Sequence, residues 1–285
     1  MIKKAFAVIK NNPVLVVMYL VYMVIMVVGM YIVLPNGVVQ SNKPQIMMAQ
    51  IGKLYLFLGV IGLIGMLFIS GAGAMLSEAV INGKTSISSF LPGVKKFFGR
   101  IFRAALLLLG IVMGATIVLS IAVTIPIALF SASANQASAA GVTITSTIIV
   151  IGILFLSIFA VMPFLMLWLP ALFIDDLKVA KALGVGAKAA KKNYGKLILI
   201  MLATFIPTAG YYVYLLIGSN LTEAYKSMGN IQGSPAYYVE MLVSAVLAIF
   251  ILPMIFIIYN EYRLKNAPPV LESELPKEIE EENHD

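Results

Sequence analysis

Asp175 and Asp176, adjacent at the end of an apolar run, are the acids best placed to do chemistry, because neighbouring carboxylates are the starting point of a divalent-cation site. No third ligand accompanies them. Glu78, at the end of another apolar run, is the acid that would have to converge with both for metal-assisted catalysis. Other routes are poorer. The chain has no cysteine, which removes thiolate nucleophiles and Cys-based metal sites. Its one histidine, His284, lies in an acidic stretch and reads as solvated. No Gly-x-Ser-x-Gly elbow occurs. The sequence therefore predicts no enzyme, no metal and no cofactor. It assigns Asp176 a structural task, as N-cap of the helix that follows, set against the positive end of that helix dipole.

The elements that carry these residues follow from composition. Of 285 residues, 61% are hydrophobic and 12% charged, against about 25% charged in soluble domains. One aqueous core cannot hide that much apolar surface, but a bilayer can serve as its solvent. The net charge is +7, although Glu272–Asp285 holds seven acids and one lysine. The remaining positive charge falls on short loops between apolar runs. That pattern implies orientation and lipid contact, and excludes nucleic-acid recognition.

A helix crossing about 30 Å of hydrocarbon needs about 20 apolar residues. Pro13–Leu34 is the first such run, and its 22 residues exceed a cleavable signal core of roughly 7–15. Leu54–Ile81 is the second. Between Arg103 and Asp175 lie 71 uncharged residues, divided by the polar stretch Ser131–Thr147 into spans Ile101–Phe130 and Ile148–Ile174. Leu197–Gly218 and Tyr237–Tyr259 complete a predicted all-α bundle of six spans over residues 1–265, followed by an acidic tail, 266–285, expected to be disordered. With the N-terminus placed inside, 17 basic residues fall on inner segments and three (Lys43, Lys53 and Lys226) on outer ones. The positive-inside rule then puts both ends in the cytoplasm and the protein in the cell membrane.

Three segments share a lysine, two Asn or aromatic residues, then Pro or Gly and a span: Phe6–Leu15 (FAVIKNNPVL), Gly93–Phe102 (GVKKFFGRIF) and Ala189–Ile198 (AAKKNYGKLI). Their offsets of 86 and 96 residues predict three parallel copies of interfacial helix, span out and span back. Orientation bias alone would also put lysines there. In the second copy Ile87, Phe90, Leu91, Val94, Phe97, Phe98 and Ile101 recur at helical spacing. In the third, Lys181, Lys188 and Lys192 line one face. Such basic amphipathic helices anchor at the headgroup boundary. The candidate headgroup-binding residues are Lys95, Lys96, Arg100, Arg103, Lys188, Lys191, Lys192 and Lys196.

Inside the spans, Thr204, Pro207, Thr208 and Gly210 form the candidate hinge or cavity, where a helix break would expose carbonyls to a solute. The glycines Gly62, Gly65, Gly71, Gly73, Gly110 and Gly114 are expected to mark close helix packing. Glu78, Asp175, Asp176, Glu240 and Glu261 lie at span ends, none near the midplane, which argues against proton coupling. The leading functional expectation is a non-enzymatic membrane protein whose partners are membrane lipids and other membrane proteins. The alternative is a transporter of a small or amphipathic solute with its site near Pro207.

The segment Trp168–Lys196 (WLPALFIDDLKVAKALGVGAKAAKKNYGK) resembles a pattern in uncharacterised prokaryotic six-span proteins. In that pattern a Pro-containing span ends in an acidic turn, followed by a short helix of small residues and a Lys-rich lead into the next span. It is similar to the membrane domain ahead of the catalytic domain in some bacterial glycerophosphodiester phosphodiesterases, and to stand-alone relatives. No phosphodiesterase catalytic domain lies within these 285 residues, so the resemblance implies the fold and a bacterial or archaeal cell-membrane location, not that activity.

Overall fold

A computed structural model describes residues 1–33, 44–133, 159–218 and 235–266, and every regular element among them is helical. Helix α1 (Ile2–Asn11) meets α2 (Pro13–Val33) at an 87° bend. Pro13 bars the preceding residue from helical geometry, and Asn12 sits at φ −134°, ψ 64°. The Asn12 side chain is buried. Its Nδ2 donates to the carbonyls of Val8 at 2.8 Å and Gly83 at 3.1 Å, and its Oδ1 accepts from the Thr85 N–H at 2.7 Å. One amide thus ends α1 and ties the elbow to the turn after α3 (Pro44–Asn82), which stops at Gly83 in the left-handed region, φ 77°.

A single 3-10 turn, Ile87–Ser89, leads into α4 (Phe90–Ser133). The third expected break lies at Asn193, which separates α7 (Val179–Lys192) from α8 (Tyr194–Gly218) and donates its Nδ2 to the Ala189 carbonyl at 3.1 Å. The second copy differs: α4 runs through Gly99 without interruption. A lone glycine costs a helix only about 1 kcal/mol and keeps its N–H, whereas the other two junctions have an asparagine to terminate the preceding helix. Residues 159–166 form α5. Leu167, at φ −95°, ψ 0°, kinks the chain into the short α6 (Trp168–Ile174), and α9 (Pro235–Lys265) closes the described chain.

Helix α8 is also continuous through Pro207, with no interruption between Thr204 and Gly210. Proline removes one ladder bond, and the helix continues on either side of it. The Thr204 hydroxyl bonds within the same helix, donating to the Met201 carbonyl at 2.7 Å. Among the described residues two stretches, Tyr55–Asn82 and Leu242–Lys265, are long and apolar enough to cross a bilayer, with mean hydropathies of 2.2 and 2.8; the bent α1–α2 pair makes a third if it counts as one span. Val24, Leu56 and Val118 are exposed along α2, α3 and α4, as suits a lipid-facing surface. The outer loop from residue 134, the start of the fourth span (148–158), the segment with Lys226 and the tail from residue 267 lie outside the described residues.

The core sits at the end that carries the basic segments. Leu167 at the kink and Ala171 and Leu172 of α6 are fully buried, enclosed by Phe97, Ile101 and Ala104 of α4, Ala182 and Ala189 of α7, Leu197 of α8, and Phe256 and Tyr259 of α9. Phe97 meets Phe173 edge-on with centroids 4.6 Å apart. Only part of the apolar stripe of the second copy enters this core, since Ile87 and Leu91 are exposed. The glycines divide likewise. Gly71 and Gly73 lie under the rings of Phe90 and Phe173, and Gly65 under the Tyr22 hydroxyl, but Gly62, Gly110 and Gly114 face open space, so those three mark no helix contact among the described residues. Gly186 makes the closest approach to backbone: a Cβ there would stand 2.7–2.8 Å from the backbone of Leu167 and Trp168.

Candidate functional site

The turn between α6 and α7 gathers the charges of this end. Asp175 Oδ1 accepts from Arg263 Nε at 2.7 Å, and its Oδ2 accepts a short hydrogen bond from the Tyr259 hydroxyl. Asp176 points the other way. Its Oδ1 accepts from Arg100 Nη1 at 2.6 Å, its Oδ2 pairs with Lys96 Nζ at 3.0 Å, and its own carbonyl accepts from Arg100 at 3.2 Å. The two acids therefore clamp the turn to α9 and to α4 respectively. Glu78 is engaged elsewhere, accepting from the Thr85 hydroxyl at 2.6 Å. Among the described residues no group of three His, Cys, Asp or Glu side chains gathers to hold a metal.

Asp176 is not the N-cap of α7. That position is Lys178, at φ −69°, ψ 151°, and no side chain caps it. A cap residue needs extended backbone, whereas Asp176 is left-handed at φ 52°, a region aspartate tolerates better than most residues. Burial pushes the Asp176 carboxyl up, but the hydrogen bonds and charges of Lys96 and Arg100 outweigh it and hold its pKa below the ordinary value. A lowered folded-state pKa contributes stability above the ordinary aspartate value, about 3.9, and that contribution is lost as pH falls through the lowered one. Asp176→Asn keeps the left-handed turn and removes the charge. The variant is therefore expected to be less stable than the parent at neutral pH, by about 1 kcal/mol or less for so exposed a pair, with the gap closing below about pH 4. Fluorescence of Trp168, the one tryptophan of the chain and a core residue, measures both curves.

The headgroup candidates fall into three groups. Lys96 and Arg100 are taken by Asp176. Lys95 and Arg103 on α4, with Lys188 and Lys191 on α7, are exposed and have no carboxylate within ion-pair distance among the described residues. Lys192 and Lys196 line a polar cleft of about 360 Å³ between the α7–α8 junction and the end of α9, with Asn193, Glu261, Tyr262, Lys265 and Asn266. There Lys192 Nζ donates to Asn266 Oδ1 at 2.7 Å and stands 5.5 Å from the Tyr262 ring centroid, while Glu261 is paired with Lys4 of α1 at 2.7 Å.

A second cleft, of about 250 Å³ and apolar, opens between α2, α3 and α9, with Tyr19, Phe68 and Pro253 on its walls. Neither cleft is lined by Thr204, Pro207 or Gly210, and the side chain of Thr208 lies outside the described residues. Sequence reasoning passed over Lys265, Tyr262 and Asn266, which lie about 70 residues beyond their cleft partners, and Asn12, whose only signal was an asparagine before a proline at the foot of a span.

A family model described as "Domain of unknown function (DUF7847)" matches residues 1–261. No curated protein and no solved structure matches the chain.

Proposed function

The chain belongs to the DUF7847 family, and we propose that it is a non-enzymatic, multi-pass cell-membrane protein whose basic helices engage anionic lipid headgroups. In this reading the apolar runs make six spans in three parallel copies, both ends face the cytoplasm, and neighbouring membrane proteins approach over the same basic surface. The partition of 17 basic residues against three supports the orientation. The likeness to the membrane domain of glycerophosphodiester phosphodiesterases belongs to this reading as fold and location only.

The observation that carries the proposal is how α7 docks. Its small face, Ala182, Gly186, Ala189 and Ala190, is buried, which leaves Lys181, Lys188 and Lys191 exposed. A lysine near an anionic surface contributes about 1 kcal/mol. The combination Lys188→Glu with Lys191→Glu is therefore expected to lower the preference of the reconstituted protein for phosphatidylglycerol over phosphatidylcholine by about tenfold or more, as read by lipid retention in native mass spectrometry. Retention equal to the parent overturns the proposal. Lys96 is unsuited to this test, because its reversal would break the Asp176 clamp.

A further inference from the structure

We infer that the cleft between the α7–α8 junction and the end of α9 is a binding site for a phosphate monoester anion. The inference rests on the membrane reading above and narrows the headgroup surface to one cavity. Three lysines, Lys192, Lys196 and Lys265, line it. Among the described residues the one acid on its wall is Glu261, paired with Lys4 at 2.7 Å. Counting that pair as neutral, the cleft carries the net charge of its three lysines, with Lys196 and Lys265 also within the field of Glu261.

Helix ends do not cancel it. Helices α7 and α9 end at this cleft and α8 begins there. Each terminus acts as about half a charge, two negative and one positive. The sum leaves roughly two and a half positive charges. A phosphate monoester carries about −1.5 to −2 at neutral pH and matches that field; a phosphodiester, with one charge, matches it less well.

The walls are also prepared. Lys192 is held by Asn266 Oδ1 at 2.7 Å and lies over the Tyr262 ring, and Asn266 is fixed in turn by donating Nδ2 to the Tyr262 carbonyl at 2.6 Å. A lysine already ordered loses less rotamer freedom on binding. At about 360 Å³ the cavity stands near the lower limit of small-molecule sites, a size for a phosphate-bearing headgroup or free phosphate.

The full chain in phosphatidylcholine nanodiscs tests this with two probes: inorganic phosphate by calorimetry, and discs in which one lipid in ten is phosphatidic acid, by native mass spectrometry. Saturable binding of one anion per chain is expected. Binding of phosphate alone identifies a soluble source, retention of phosphatidic acid alone a lipid one, and either supports the site. Lys196→Gln with Lys265→Gln should weaken binding about thirtyfold, the loss of two charge contacts. Lys181→Gln with Lys188→Gln, on the exposed face of α7 and outside the cleft, should leave the calorimetric binding of inorganic phosphate unchanged. That second pair separates the two ideas, because it weakens general anionic-lipid preference while the cleft still binds. The assignment is overturned if neither probe binds, or if the cleft pair, shown folded by Trp168 fluorescence, binds as the parent does. Binding that appears only after the seven acids of Glu272–Asp285 are neutralised overturns it too, and makes that acidic segment the occupant.

Discussion

Asp175→Ala is expected to destabilise the chain by about 3 kcal/mol, the larger part of it through Tyr259. The Tyr259 side chain is 1% exposed, and its hydroxyl has Asp175 Oδ2 as acceptor. Removing the carboxylate leaves a buried donor without a partner, a loss of about 1–3 kcal/mol, to which a charge-assisted bond adds. The Arg263 half contributes less. That pair is 38% and 23% exposed, and solvent-facing ion pairs give about 0–1 kcal/mol. Tyr259→Phe removes donor and unmet need together, so it should cost about 1.5 kcal/mol. The double variant should then cost less than the sum of the singles by about 1–2 kcal/mol. Denaturant unfolding in detergent, followed through Trp168, gives all three values. The sign also discriminates between uses of the acid. A carboxylate kept for a substrate or an ion is commonly a strain on the fold, and its removal stabilises. One that clamps a turn behaves oppositely, so an Asp175→Ala chain as stable as the parent would reopen the cation reading.

Much of the helix layout was legible because it depends on local chemistry. The junction at Asn12 needs only a proline, which denies the preceding residue helical geometry, and an amide able to meet the freed carbonyl at Val8. The junction at Asn193 repeats the device with the carbonyl of Ala189. At Gly99 the same alignment misleads. Phe97 and Phe98 stand where asparagine would terminate the helix, and Phe97 has reason to continue it, since its ring packs on Phe173. Pro207 shows the limit of a local rule as well: proline costs a helix one ladder bond, yet α8 runs through it.

The site was less legible, because its partners are remote in sequence. Local grammar assigns an acid at Asp176 to the helix beginning three residues on. The charges that claim it, Lys96 and Arg100, lie 80 and 76 residues earlier. The lysine pattern was visible as a total, but how the lysines divide between clamp, exposed face and cleft depends on which acids face them. Lys192 and Lys265 enclose one space only because α9 returns beside the α7–α8 junction.

The remaining large effect separates two glycines one turn face apart on α7. Gly184→Ala is expected to stabilise by about 0.5–1 kcal/mol, since Gly184 is exposed, an added Cβ meets nothing within 4 Å, and alanine reduces the freedom of the unfolded chain. Gly186→Ala gains the same propensity and loses more. Its Cβ would stand 2.7 Å from the Trp168 nitrogen and 2.8 Å from the Leu167 carbonyl carbon. Backbone cannot rotate aside as a side chain can, so either α7 lifts or the Leu167 kink opens, at about 1–3 kcal/mol of overpacking. Gly186→Val should exceed that and release α7 from α6. Because the buried small face is what turns Lys181, Lys188 and Lys191 outward, a released α7 should also expose its flank to trypsin at Lys188 well below the unfolding temperature of the parent. If Gly184→Ala and Gly186→Ala shift the Trp168 transition in the same direction, α7 is not held by backbone contact at Gly186, and the outward lysine face loses the physical reason given for it.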